Sequence, residues 1–472
     1  MVFSSATFLF LFFPVTLIFY NLKLFKDRDR ETEKKNIVLL IMSLVFYAWG
    51  EPVYIILMLL SIFYNYNTAI DIDSYIGNPR KKKAVFIFAV LFNVFILGFF
   101  KYYGFAVESI NSIFSLSLPV REIPLPVGIS FYTFQVLSYV IDVYRGDVKA
   151  QKKLVPFAAY ISMFPQLIAG PIVQYRDVEK QLADREVTAE KFAAGIMFFV
   201  KGLGKKVIFA NTVGAVYTEI LGMETASLSV MTSWIGIICY TLQIYFDFSG
   251  YSDMAIGLGK MLGFDFIQNF NFPYKATSIT DFWRRWHISL SSWFRDYVYI
   301  PLGGNRKGTV RTILNILVVW SLTGLWHGAA WNFIAWGAFY GILLIAEKYV
   351  FARLLEKIPV FIRYIMTMLI VMIGWVFFSA ENLSSALSYI KSMFGLYGNA
   401  FTDSTSRYLL SENIFSVSVM ILCATGVFAL LPRVKNFRFN TILMSAGYIG
   451  IFILCIIYLI SETYNPFLYF RF

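Results

Sequence analysis

The chain has 472 residues, 58% of them apolar and only 15% charged, and its mean hydropathy is +0.64. A soluble domain carries about 25% charged and about 45–50% apolar residues, so a purely water-facing surface is excluded and lipid is expected to cover much of the protein. The net charge of +12 does not indicate a nucleic-acid partner, because the basic residues sit in short runs between apolar stretches, where the positive-inside rule places them.

A membrane-spanning helix takes about 20 mostly apolar residues. Residues 6–20 form the first candidate; with no basic leader and no small-residue cleavage site, they read as a retained span. The loop 23–35 follows, with six basic and four acidic residues. Segments 37–49 and 53–70 flank Gly50-Glu51-Pro52, a helix break that reads as a hairpin turn. Arg80-Lys81-Lys82-Lys83 precedes the span 84–100. Both basic loops belong to one hairpin and are assigned to the cytoplasm, which leaves the N-terminus outside.

Further spans are expected at 126–144, 154–173, 192–221, 228–248, 311–326, 331–346, 360–379, 414–431 and 441–460. Several carry polar interruptions: Gln135, Asp142 and Arg145, then Gln166 between two prolines, then Lys201, Lys205 and Lys206. Irregular backbone at membrane depth must be buried in protein or line a wet cavity, so these pieces read as re-entrant or part-buried. No internal repeat or linker is visible, and one all-α domain over 1–472 is expected, with N-terminal helices at 1–142, a core at 143–346 and C-terminal helices at 347–472. Cys239, Cys423 and Cys455 lie far apart in apolar segments and fit neither a disulfide framework nor a metal site.

The segment 278–308, SITDFWRRWHISLSSWFRDYVYIPLGGNRKG, cannot face lipid. Each charge at a helix centre costs about 2.5–3.5 kcal/mol to insert, and this stretch holds Arg284, Arg285, Arg295, Arg306 and Lys307. Helical spacing puts Asp281 and Arg285 on one face and Arg284 and His287 on another. An interfacial helix anchored by Trp283, Trp286 and Trp293 is one reading. A site for the phosphates of an acyl donor, bound by arginine, is the other.

The chain has two histidines, His287 and His327. His327 stands in Leu325-Trp326-His327-Gly328, inside an apolar stretch, where an ionisable group marks a functional site by default. A neutral imidazole there suits proton removal from a hydroxyl during acyl transfer; a packed structural histidine is the alternative. No nucleophile elbow, zinc motif or phosphate-binding glycine loop is present. Direct transfer with His327 as base is favoured, and an acyl-histidine intermediate stays open. Tyr245, Asp247, Ser249, Tyr251 and Asp253, in and just after an apolar span, and Gln166 between prolines either satisfy broken backbone or line the acyl path.

Seven ordered blocks carry a resemblance: 1–5, 124–135, 164–171, 243–253, 281–305, 325–328 and 465–472. Through them the chain resembles the membrane-bound O-acyltransferase family, in its alginate O-acetyltransferase type. The resemblance implies a ring of about 11–13 transmembrane or re-entrant helices around a central funnel and tunnel, with His327 and His287 as the family's two histidines. It also implies acetyl-CoA or an acyl-carrier thioester as cytosolic donor substrate, with no bound cofactor or metal. Asp281, Arg284, Arg285, Trp286, Trp326, Tyr245, Asp247, Gln166 and Asn332 are then the expected donor- or substrate-binding residues. The implied partners are an extracytoplasmic acetyltransferase of SGNH type and the polysaccharide synthesis and export machinery, at a bacterial inner membrane. D-alanyl transfer to teichoic acid, peptidoglycan or cellulose acetylation, and a non-enzymatic transporter are the competing readings.

Overall fold

The computed structural model describes residues 1–121, 123–427, 437–461 and 467–468, and every regular element among them is helical. Two compact units divide the chain: residues 1–199 with 251–267, and residues 200–250 with 268–472. Six helices among the described residues are long and apolar enough to cross a membrane.

In the first unit, α1 (Phe8–Asn21) is followed by α2 (Arg28–Gly50), α3 (Ile55–Ser74) and α4 (Pro79–Phe114). Asp27 caps α2 and Asn78 caps α4 by accepting backbone N–H groups three residues on, the usual satisfaction of a helix start. Lys34 in α2 donates to the carbonyls of Tyr20 and Leu22 at 2.9 and 2.7 Å, so one buried ammonium closes the C-terminal end of α1. The break at Gly50-Glu51-Pro52 falls where the sequence places it.

Helix α4 exposes Phe88, Leu91 and Phe95 by 70, 58 and 69%, an outward apolar surface of the kind lipid covers. Asn65 of α3 and Asn93 of α4 exchange amide hydrogen bonds of 3.1 and 2.7 Å. That reciprocal pair satisfies both amides in an apolar setting.

Helix α5 (Ile129–Arg145) begins beside the α2–α3 turn, where Val127 N–H donates to Glu51. It ends with Tyr144 stacked on Phe86 at 4.1 Å and under Lys82, level with the basic run that opens α4. The expected span 154–173 is broken: α6 (Leu154–Ser162) stops before Met163, and α7 (Phe164–Leu167) is a single turn with Pro165 in it. Helix α8 (Tyr175–Ala183) lies outside the predicted spans and is held by a capping box between Gln174 and Asp177.

Helices α9 (Ala189–Gly204) and α10 (Asn211–Leu221) are joined through a wide turn at Lys205–Ala210, so Lys205 and Lys206 fall where the regular backbone is interrupted, while Lys201 lies within α9. Helix α11 (Val230–Met261) is longer than the span expected at 228–248.

The second unit continues with α12 (Ile279–Arg285), α13 (Ile288–Phe294), α14 (Thr309–His327) and α15 (Trp331–Tyr349). It ends with α16 (Ala352–Lys357), α17 (Val360–Ser379), α18 (Leu383–Met393), α19 (Ser404–Thr425) and α20 (Phe437–Ser461). Most of the tail block at 465–472 lies outside the described residues, as do residues 428–431 of the span expected at 414–431.

Candidate functional site

The charged aromatic segment forms two short helices rather than one. Ser278 accepts the Asp281 N–H at 3.0 Å, and the Glu347 carboxylate, reaching from α15, takes the N–H groups of Ile279 and Thr280. These acceptors satisfy the start of α12, where negative charge also suits the helix dipole. Asp281 and Arg285 pair at 2.8 Å, as their spacing predicts.

The expected helical face shared by Arg284 and His287 is not present. Trp286 is extended and His287 adopts a left-handed conformation with φ 46°. The cause is the chain at 269–271: Asn269 O accepts from Ile288 N–H, and Asn271 N–H donates to Arg285 O, both at 3.0 Å. Those backbone groups are taken from the ladder that a continuous helix would need.

His287 is 1% exposed. Its Nδ1 lies 3.3 Å from Asn269 Oδ1 and 3.4 Å from Ser289 Oγ. Phe248 meets its ring edge-on at 4.7 Å. Burial pushes the imidazole pKa down to about 3, so the ring is neutral at physiological pH.

His327 closes α14 and is 6% exposed. Trp326, Trp336 and Phe378 surround its ring at 4.9, 5.0 and 5.1 Å, all close to perpendicular. Trp326 also meets His287 at 6.0 Å, so one indole separates the two imidazoles. Trp286 enters the same cluster through Trp375 at 4.8 Å, and Trp375 contacts Phe378 at 5.6 Å.

The close approach of α14 and α15 depends on glycine. A Cβ on Gly324 would stand 2.5 Å from the Phe333 carbonyl oxygen, and Gly337 faces Trp320 O in the same way. Backbone cannot yield as a side-chain tip does. Gly324→Ala is expected to cost about 1–3 kcal/mol, read as a lowered thermal midpoint of the detergent-purified protein.

Asn332 donates its amide to Phe377 O and Ala380 O at 3.2 and 2.8 Å. It thereby ties the end of α17, and with it Phe378, to the start of α15. This places Asn332 behind the histidine box.

A cavity of about 250 Å³ opens beside His287. Trp283, Leu290, Phe294 and Trp320 supply apolar walls, and Arg284 and Arg295 bring charge to it. Arg295 pairs with Asp296 at 2.8 Å, whereas Arg284 has no carboxylate partner among the described residues. Arg285, also an expected donor ligand, is engaged by Asp281 and by Asn271 O at 3.4 Å.

Asp247 and Tyr245 sit on α11. Asp247 forms a 2.6 Å ion pair with Lys206, each side chain 4% exposed, and accepts the Leu468 N–H at 2.8 Å. Lys206 also lies over the Phe467 ring. The carboxylate is thus committed to a cation and to the C-terminal segment. Tyr245 packs on Tyr274 at 5.2 Å and on Trp286 at 6.3 Å. Gln166 belongs to the first unit, where its amide donates to Tyr160 O at 2.7 Å.

Sequence reading missed Asn269, Ser289, Trp336 and Phe378, all in contact with a histidine or with its partner. Nothing local marks them, since their relation to the histidines is made by folding. Lys206 and Asp247 did carry a signal: opposite charges in separate apolar stretches must find each other or leave the membrane.

Helices of this length and apolarity, with a buried imidazole pair and a cavity edged by arginine, belong to a multi-pass membrane enzyme. Residues 149–390, which include both histidines, match MBOAT, the membrane-bound O-acyltransferase family. The chain belongs to that family and is an O-acyltransferase.

It is 44% identical over 398 residues to the probable alginate O-acetylase AlgI of Pseudomonas aeruginosa, covering 84% of this chain and 75% of that protein. It is 34% identical to the peptidoglycan O-acetyltransferase of Helicobacter pylori, covering 93% and 89%. The teichoic acid D-alanyltransferase of Bacillus subtilis matches at 29% over 47% of this chain and 59% of its own length.

Proposed function

We propose that this O-acyltransferase moves an acetyl group from a cytosolic thioester, acetyl-CoA or an acyl carrier, to a hydroxyl of an extracytoplasmic polysaccharide. The observation that carries the reading is the pairing of the chain's two imidazoles on one indole, Trp326, next to an arginine-edged cavity. Both rings are buried, and a neutral imidazole is the form that can accept a hydroxyl proton.

In the proposed reaction His327 removes the proton of the acceptor hydroxyl as its oxygen attacks the thioester carbonyl. The carbon–sulfur bond breaks, the sulfur takes the proton held by His327 and leaves toward the cytosol as the thiol, and the new ester departs outward. His287, on the cavity wall, orients the thioester. Arg284 is the residue available for donor phosphate, since a guanidinium binds phosphate in bidentate fashion. Trp326 and Trp286 hold the two rings and the cavity wall in register.

Acetyl rather than D-alanyl transfer is favoured because the alginate and peptidoglycan O-acetylating relatives match over most of the chain, and the D-alanyl relative over about half. The proposal includes the bacterial inner membrane as location. Transfer is direct or relayed through an extracytoplasmic acetyltransferase of SGNH type, alongside the polysaccharide synthesis and export machinery, and the steps given for His327 are those of the direct route.

Arg284→Gln is the test of the donor site. Losing one charge-assisted contact is worth about 1.5–3 kcal/mol, so KM for acetyl-CoA should rise about tenfold to a hundredfold with kcat nearly unchanged. An unchanged KM would remove Arg284 from donor binding.

A further inference from the structure

We infer that Asn269 is a positioning residue for His287: its side-chain carbonyl fixes the imidazole as the Nδ1–H tautomer and makes Nε2 the basic nitrogen. This rests on the proposed reading of His287 as part of the reacting site, although its geometry can be tested without that reading.

Asn269 is fully buried. One of its side-chain atoms receives the Ser289 backbone N–H at 3.1 Å and the Ser289 hydroxyl at 3.0 Å. A backbone N–H only donates, so the atom facing it is the carbonyl oxygen Oδ1, which fixes the orientation of the amide. The same oxygen stands 3.3 Å from His287 Nδ1. An amide oxygen only accepts, so Nδ1 carries the proton. Ser289 agrees: its hydroxyl proton goes to Asn269, leaving lone pairs toward Nδ1 at 3.4 Å. A neutral imidazole has one N–H, and Nε2 is therefore the unprotonated nitrogen.

The backbone is held by the same residue. His287 keeps a left-handed conformation that non-glycine residues rarely adopt, and such strain persists only where the surroundings over-determine it. Asn269 takes the Ile288 N–H on its main-chain carbonyl and the Ser289 N–H on its side chain. Three consecutive residues are thus fixed from one position.

The contacts described for the ring are aromatic and neutral polar ones. Phe248 and Trp326 are its aromatic neighbours. The charged and titratable side chains on its cavity are Arg284, Arg295 and Tyr299. Asp281, Asp296 and Asp247, carboxylates on the adjoining elements, are paired with Arg285, Arg295 and Lys206. The side-chain acceptor that meets Nδ1 is thus a neutral amide oxygen.

Two imidazoles in the whole chain make a direct test practical. Nitrogen-15 NMR of histidine-labelled full-length protein in micelles, with His327→Gln to leave one ring, reads the tautomer of His287. The expected result is a protonated Nδ1 in the presence of Asn269 and a tautomer mixture in the Asn269→Ala variant. An Nε2–H signal with Asn269 in place would overturn the inference, even if the variant does not accumulate. In acetyl-CoA turnover by protein with His327 intact, Asn269→Ala should lower kcat about a hundredfold with KM little changed. A wild-type kcat in that variant would equally overturn it. Wild-type turnover by His287→Ala would instead sink the reading of His287 and leave the tautomer result standing.

Discussion

Replacing His327 by Gln should lower acetyl transfer by about 10²–10⁴-fold, the range that a positioned general base contributes, with membrane abundance of the protein unchanged. Glutamine keeps a polar side chain of similar reach inside the box of Trp326, Trp336 and Phe378, so packing is largely preserved while the titratable nitrogen is lost. The measurement is O-acetyl content of the envelope polysaccharide beside an immunoblot of the membrane fraction. A structural histidine would give the reverse pattern, with lower abundance and normal activity per molecule. Full acetylation at normal abundance would remove His327 from the chemistry.

The second large effect is on stability. Removing one member of the Lys206–Asp247 pair leaves a charge buried without its counter-ion, which costs about 3–5 kcal/mol. Lys206→Met should therefore lower the thermal midpoint in detergent sharply. Asp247→Leu should do the same and also release the Leu468 N–H that the carboxylate accepts. The double variant should recover much of the loss, because neither charge then needs desolvation compensated. Additive losses in the double variant would mean that the two side chains act independently.

His327 was legible in the sequence because an imidazole in an apolar stretch is conspicuous, and Asp281 with Arg285 was legible because both lie on one turn of helix. The hairpin at Gly50-Glu51-Pro52 followed from a glycine and a proline within three residues. What periodicity could not give was the break at Trp286 and His287. Local spacing favours one continuous helix there, and the backbone groups of Asn269 and Asn271, distant along the chain, overrule it. The role of Asn332 was hidden for the same reason: its partners, Phe377 and Ala380, lie at the far end of another helix. Helix α8 was missed because a short polar helix lacks a span-length apolar signal, whereas the prolines flanking Gln166 did mark the irregular piece at α7.

The most direct measurement is sidedness of transfer in sealed proteoliposomes. Acetyl-CoA, labelled in its acetyl group, is supplied only on the face carrying the loop 23–35 and Arg80–Lys83, and an oligosaccharide acceptor only on the other. Labelled ester on the enclosed acceptor, dependent on His327, is the predicted result. Ester formed only when donor and acceptor share one face would contradict transfer through the membrane.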